Sequence, residues 1–149
     1  MYAVFCEQFT HQAWLGHHII ADGLTAGDQY KLALYTPAAS LDQSTDVYTT
    51  EGELVSANYT AGGIDVALLQ TTNPSVRATF LTFPPVTWSG ISGAVEYALL
   101  YNATQGNRVV GLVVMQGAYS GTNILSNTVF QFDPGQDAST AMLVSTWGA

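Results

Sequence analysis

From residue 29 onward, apolar residues recur with a period of two, in short runs cut by turn residues. The run YKLALY at residues 30–35 reads as a strand closed by Thr36-Pro37. Residues 38–50 are rich in Asp, Ser and Thr and read as a loop with one helical turn. Glu51-Gly52-Glu53 reads as a turn, and Tyr59 to Gly63 (YTAGG) breaks the chain again. Residues 64–69 read as a strand, with a turn over 71–75 at Asn73-Pro74. Residues 76–83 alternate: Val76, Ala78 and Phe80 on one side, Arg77, Thr79, Leu81 and Phe83 on the other. Pro84-Pro85 ends that run, because proline donates no ladder hydrogen bond. Val86-Thr87-Trp88 is a short piece stopped by Ser89-Gly90. Residues 95–101 and 108–115 pair as a hairpin across the polar loop 102–107. Residues 128–132 and 141–147 supply two last strands around Asp133-Pro134-Gly135.

Residues 1–20 differ. Tyr2, Val4, Phe5, Phe9, Trp14, Leu15, Ile19 and Ile20 form an aromatic-rich segment without alternation. Two readings stand: a short helix striped by Phe5, Phe9 and Trp14, or an arm lying across a neighbouring subunit. Residues 21–28 follow as a turn or linker. About seven to nine short strands at this spacing predict an all-β fold. The expected form is an antiparallel β-sandwich, jelly-roll or immunoglobulin-like, with a non-β N-terminal arm. On this reading residues 1–27 are arm and linker, and residues 28–149 are a single β-sandwich domain.

Charge narrows the function. The 149 residues carry three basic side chains, Lys31, Arg77 and Arg108, against eleven acids, for a net charge of −8. A basic surface able to neutralise a run of phosphates cannot be built from these, which argues against nucleic-acid binding. Charged residues are 9% and hydrophobic residues 48%, which excludes a disordered composition. Interface cores are poor in charge and rich in aromatics, so part of this surface is expected to lie against other subunits. Phe5, Phe9, Trp14, Arg77 and Arg108 are the expected interface residues. Cys6 is the single cysteine, so no intramolecular disulfide forms, consistent with folding in a reducing cytoplasm. The N-terminus lacks a basic, apolar signal pattern, and the longest apolar run (residues 109–115) is too short to span a bilayer.

Candidate chemistry is weak. His11, His17 and His18 lie near Glu7 and Asp22, but their spacing matches no zinc site. Glu51, Glu53, Asp65 and Glu96 are the acids a glycosidase would need in a pair, though Glu51 and Glu53 read better as solvated turn residues. Asp42 and Asp46 lie in a loop without an EF-hand pattern. Gly90-Ile91-Ser92-Gly93 lacks the spacing of a nucleophile elbow. Tyr59, Trp88, Tyr97, Tyr101 and Tyr119 are able to stack on sugars, but strand aromatics usually serve core or interface. Neither catalytic residues, nor a cofactor, nor a metal site is expected.

One resemblance rises above composition. It rests on residues 30–36 (YKLALYT), 39–42 (ASLD), 47–53 (VYTTEGE) and 58–63 (NYTAGG). It continues in residues 86–89 (VTWS), 98–104 (ALLYNAT) and 107–110 (NRVV). In order and spacing these resemble a family of small virion structural proteins of tailed bacteriophages, over most of residues 28–132. The resemblance implies a virion component made in the bacterial cytoplasm. The expectation drawn from it is a capsid decoration or cement protein on the capsid exterior. Its partners would be the major capsid protein and copies of itself, in a possible trimer, with no nucleic acid and no membrane. A tail or fibre adaptor is the alternative, and a carbohydrate-active enzyme a more distant one.

Overall fold

The computed structural model describes residues 2–22, 24–75, 78–115, 123–132 and 143–146, the last two segments by their backbone. The described residues form ten strands and one helix. These are β1 (Tyr2–Phe5), α1 (Glu7–Trp14), β2 (Tyr30–Tyr35), β3 (Ile64–Val66), β4 (Leu69–Asn73), β5 (Ala78–Thr82), β6 (Val86–Val95), β7 (Tyr97–Asn102), β8 (Arg108–Val114), β9 (Asn123–Phe132) and β10 (Leu143–Thr146). The fold is therefore all-β apart from one short helix, and the named strands pair antiparallel. They make a five-stranded sheet ordered β1-β8-β7-β2-β3, a three-stranded sheet β10-β5-β4 and the pair β6-β9.

Both faces of the five-stranded sheet are covered. Alternation puts Leu32 and Leu34 of β2, Ala98 and Leu100 of β7 and Val113 of β8 on one face. They join Leu81, Phe83, Trp88, Ile91 and Val95 from β5, β6 and the turn between in the larger core. Burying each large side chain of this kind contributes about 1.5–3 kcal/mol. On the opposite face Ala33, Tyr35, Leu99, Leu112 and Val114 pack beneath Ala39 and Leu41 of the β2–β3 connection.

Two glycines set the path. Gly63 has φ +77°, and a Cβ there would lie 2.0 Å from the Leu32 carbonyl oxygen, so only glycine fits against β2. Gly16, at φ +76°, ends α1. Its N–H bonds the Ala13 carbonyl at 3.0 Å while the His17 N–H bonds that of Gln12 at 2.9 Å, the Schellman arrangement.

Three expectations are corrected. The N-terminal segment is not a non-β arm: β1 pairs with β8 in the register Val4↔Leu112, and α1 seats Phe9 in the larger core. Its apolar residues gain more by closing this chain's own sheet than by lying loose. Ser89-Gly90 does not end a strand, because β6 runs through it with register shifts between Trp88 and Ile91 and between Ile91 and Gly93. Gly90 and Gly93 have positive φ, and such residues let a strand bulge rather than stop. The expected turn over residues 71–75 is shorter, since β4 extends through Asn73 against β5.

Candidate functional site

The expected interface residues separate sharply. Phe9 is buried, and its ring stacks on that of Phe5 with centroids 4.9 Å apart. Phe5 packs against the larger core, so these two side chains serve the fold. Trp14, one turn beyond Phe9, is 86% exposed, and Leu15 beside it is 57% exposed. The 100° step of the helix carries position 14 away from the inward face that holds Phe9 and Gln12. Ile19 and Leu24 extend this apolar surface along the sequence; Leu24 is 96% exposed. Arg108 is half-buried at the start of β8, where Val47 bridges to it. Among the described residues the ion pair is Lys31–Asp65, at 3.2 Å. Arg77 lies outside the described residues.

A buried polar chain fixes the helix that carries Trp14. The Gln12 side chain donates to Asp46 Oδ1, and His18 Nε2 lies 3.0 Å from Gln12 Oε1. Asn102, fully buried at the end of β7, donates to Asp28 Oδ2 at 2.7 Å and to the His17 carbonyl at 3.2 Å. Its own Oδ1 accepts from the Thr104 and Gln105 N–H groups, shaping the β7–β8 loop. Burial pushes His18 down to about 4, against the opposing pull of Asp28, so the imidazole is neutral at pH 7. With Nε2–H donating to Gln12, His18 Nδ1 faces Asn102 Nδ2 at 3.4 Å. The three histidines do not converge, and among the described residues no group of three His, Cys, Asp or Glu is placed to hold a metal.

Glu53 corrects a further expectation. It is no solvated turn residue but only 7% exposed. Its Oε1 accepts from Tyr59 OH and the Gly62 N–H, each at 2.7 Å, and its Oε2 accepts from Tyr48 OH at 2.6 Å. Tyr101 stacks on Tyr48 and donates to the Gly62 carbonyl at 2.8 Å. Burial first, then the Glu53 charge, pushes the Tyr101 hydroxyl up to about 12, and burial, then the hydrogen bond to Glu53 and its charge, raises Tyr48. These hydroxyls stay protonated donors. The carboxylate is saturated by donors, which suits a structural tie between the β2–β3 connection and the sheet rather than general acid–base work. Glu51 is exposed. Tyr59, Trp88 and Tyr101 are buried, so they offer no stacking platform, whereas Tyr97 is half-exposed and Tyr119 lies outside the described residues.

Searches against family models, curated proteins and solved structures find no match for this chain. Among the described residues no helix is long and apolar enough to cross a membrane.

Proposed function

We propose that this chain is a structural protein of a tailed-bacteriophage virion, a β-sandwich module that decorates and cements the assembled head from outside. It acts by binding, not by turnover. The observation that carries this reading is Trp14, held 86% exposed on a helix that is itself locked to the fold. An apolar surface of this kind is costly unless a partner covers it. The charge-poor composition supports the same reading, since interface cores are depleted in charge. An acidic exterior also keeps the module off the packaged genome. The partners are the major capsid protein and sister copies, arranged about a threefold axis.

The mechanism is mass action. A module that binds only the assembled lattice stabilises it by RT ln(1 + [L]/Kd), about 2.7 kcal/mol per site at a hundredfold excess over Kd. The test is copy number in purified virions, by quantitative mass spectrometry against the major capsid protein. A ratio near one per capsid subunit is expected. A handful of copies moves the protein to the tail or a fibre, and absence from particles overturns the structural reading.

A further inference from the structure

The polar side chains that tie α1 to the sheet form a line whose hydrogen bonds all run one way. At one end Asn102 Oδ1 accepts from the Thr104 and Gln105 N–H groups, at 3.0 and 3.1 Å. That turns the Asn102 amide so that Nδ2, with its two hydrogens, faces His18. At the other end Asp46 Oδ1 accepts from Gln12 Nε2, which leaves Gln12 Oε1 facing His18. His18 thus lies between an acceptor and a donor. Its Nε2 carries the hydrogen, 3.0 Å from Gln12 Oε1, and its Nδ1 carries the lone pair, 3.4 Å from Asn102 Nδ2. The tautomer is fixed from both ends, by a carboxylate that accepts and by backbone groups that donate.

A second proton on this ring has no acceptor. Placed on Nδ1, it would make an N–H that meets the hydrogens of Asn102 Nδ2, donor against donor. The residue is 8% exposed, between the Phe9 ring of α1 at 5.0 Å and the Tyr30 ring of β2 at 6.3 Å. Asp28, before β2, favours the cation, while Arg108 of β8 and the adjoining His17 oppose it. Asp46 reaches the ring only through Gln12, and the titratable residues of α1, Glu7 and His11, are exposed. Asp28 is already engaged: its Oδ2 accepts from Asn102 Nδ2 at 2.7 Å and from the Ile19 N–H at 2.9 Å. An imidazolium gains Asp28 as acceptor only by displacing these bonds, which close residues 19–28 onto β7.

Helix α1 depends on such ties. It has eight residues, and isolated helices shorter than about 12–15 residues are marginal in water. Its buried side chains are Phe9 and Gln12, and both meet the His18 ring. β1, by contrast, is held by its own ladder to β8. We infer that His18 is an acid-operated latch: a solvent proton taken up at Nδ1 frees α1 and residues 15–20, with Trp14 at the helix end, while β1 and the rest of the five-stranded sheet stay folded. The freed imidazole is solvated and binds its proton near the ordinary value of 6.5, whereas in the closed form burial holds it down to about 4. Between pH 6.5 and 4.5 that difference moves the closed–open equilibrium by about 40-fold. The latch is a property of the fold and holds whether or not the protein belongs to a virion.

The test is an acid titration of the full ¹⁵N-labelled chain by NMR. At pH 7 the imidazole nitrogens should show His18 as the Nε2–H tautomer. Amide protection factors, which already discount the intrinsic pH dependence of exchange, should fall at least tenfold from His11 to Gly16 between pH 6.5 and 4.5. Those of Leu32, Leu34, Leu99 and Leu100 should change less than threefold over the same range. The loss should begin near pH 6.5, with the slope of one proton. His18→Gln keeps an amide donor but takes no proton, so its helix protection should hold within threefold. Its amide spectrum reports whether it folds; if it does not, the wild-type tautomer, onset and pattern decide. The Nδ1–H tautomer at pH 7, or helix protection unchanged at pH 4.5, overturns the inference. So does loss at the helix and the sheet together, which is global unfolding. Onset only below pH 5, the mark of carboxylates, or the same loss in a folded His18→Gln overturns it equally.

Discussion

At the scale of single residues, the polar groups inside this fold matter more than their number suggests. Glu53 satisfies two tyrosine hydroxyls and one backbone N–H. Its truncation leaves one buried and two part-buried donors without their acceptor, and an unsatisfied buried group costs about 1–3 kcal/mol. Glu53→Ala should therefore lower unfolding free energy by more than about 2 kcal/mol in urea titrations, with Glu53→Gln losing less. His18 gives a pH signature. Its folded pKa of about 4 lies below the unfolded value of 6.5. Between those limits the unfolded chain binds the proton and the folded chain does not, so stability is full above pH 6.5 and falls as pH drops toward 4. Asp22 and Asp42, held low by backbone and serine hydrogen bonds, lose their contribution only at lower pH. Thermal melts of wild type should thus decline from pH 6.5 to 4, and His18→Gln should flatten that decline. An unchanged slope would contradict the assignment.

At the scale of elements, α1 has two separable duties. Its inward face, Phe9 and Gln12, anchors the N-terminal segment to the sheet. Phe9→Ala should cost about 3–5 kcal/mol, the usual range for an aromatic removed from a core. Trp14 touches little of its own chain, so Trp14→Ala should shift stability by no more than about 0.5 kcal/mol. The same substitution should abolish or sharply reduce incorporation into virions, read by particle composition. Loss of stability without loss of incorporation would assign Trp14 to the fold instead. Gly16→Ala tests the helix stop: the site is open, but φ +76° puts a Cβ in the left-handed region at about 1–2 kcal/mol.

At the scale of the whole molecule, the five-stranded sheet is the organiser. Its two faces support separate cores, and β1 closes one edge with the first residues of the chain. The exposed apolar surface at and beyond the end of α1 belongs to this N-terminal region. A single deletion of residues 1–15 should therefore remove the edge strand and the helix together. It should destabilise the remaining sheet rather than trim an independent arm, as measured by a lowered melting temperature.

Alternation alone determined β2, whose bounds at residues 30–35 match the pattern, and the β7–β8 hairpin around its polar loop. Those elements obey a local period that side-chain burial enforces on each strand. The apolar, charge-poor composition likewise pointed to an all-β chain with surface to cover. What alternation missed depended on distant partners. Glu53 looked like a turn acid because Tyr48, Tyr59 and Gly62 reach it only once the connection folds back. Gln12, His18 and Asn102 join across 84 and fewer residues of chain and carry no spacing signal. Phe9 and Trp14 are both aromatic positions of one short segment. Only the packing of α1 on the sheet decided that one is core and the other surface, because burial is set by what lies opposite a side chain and not by its identity.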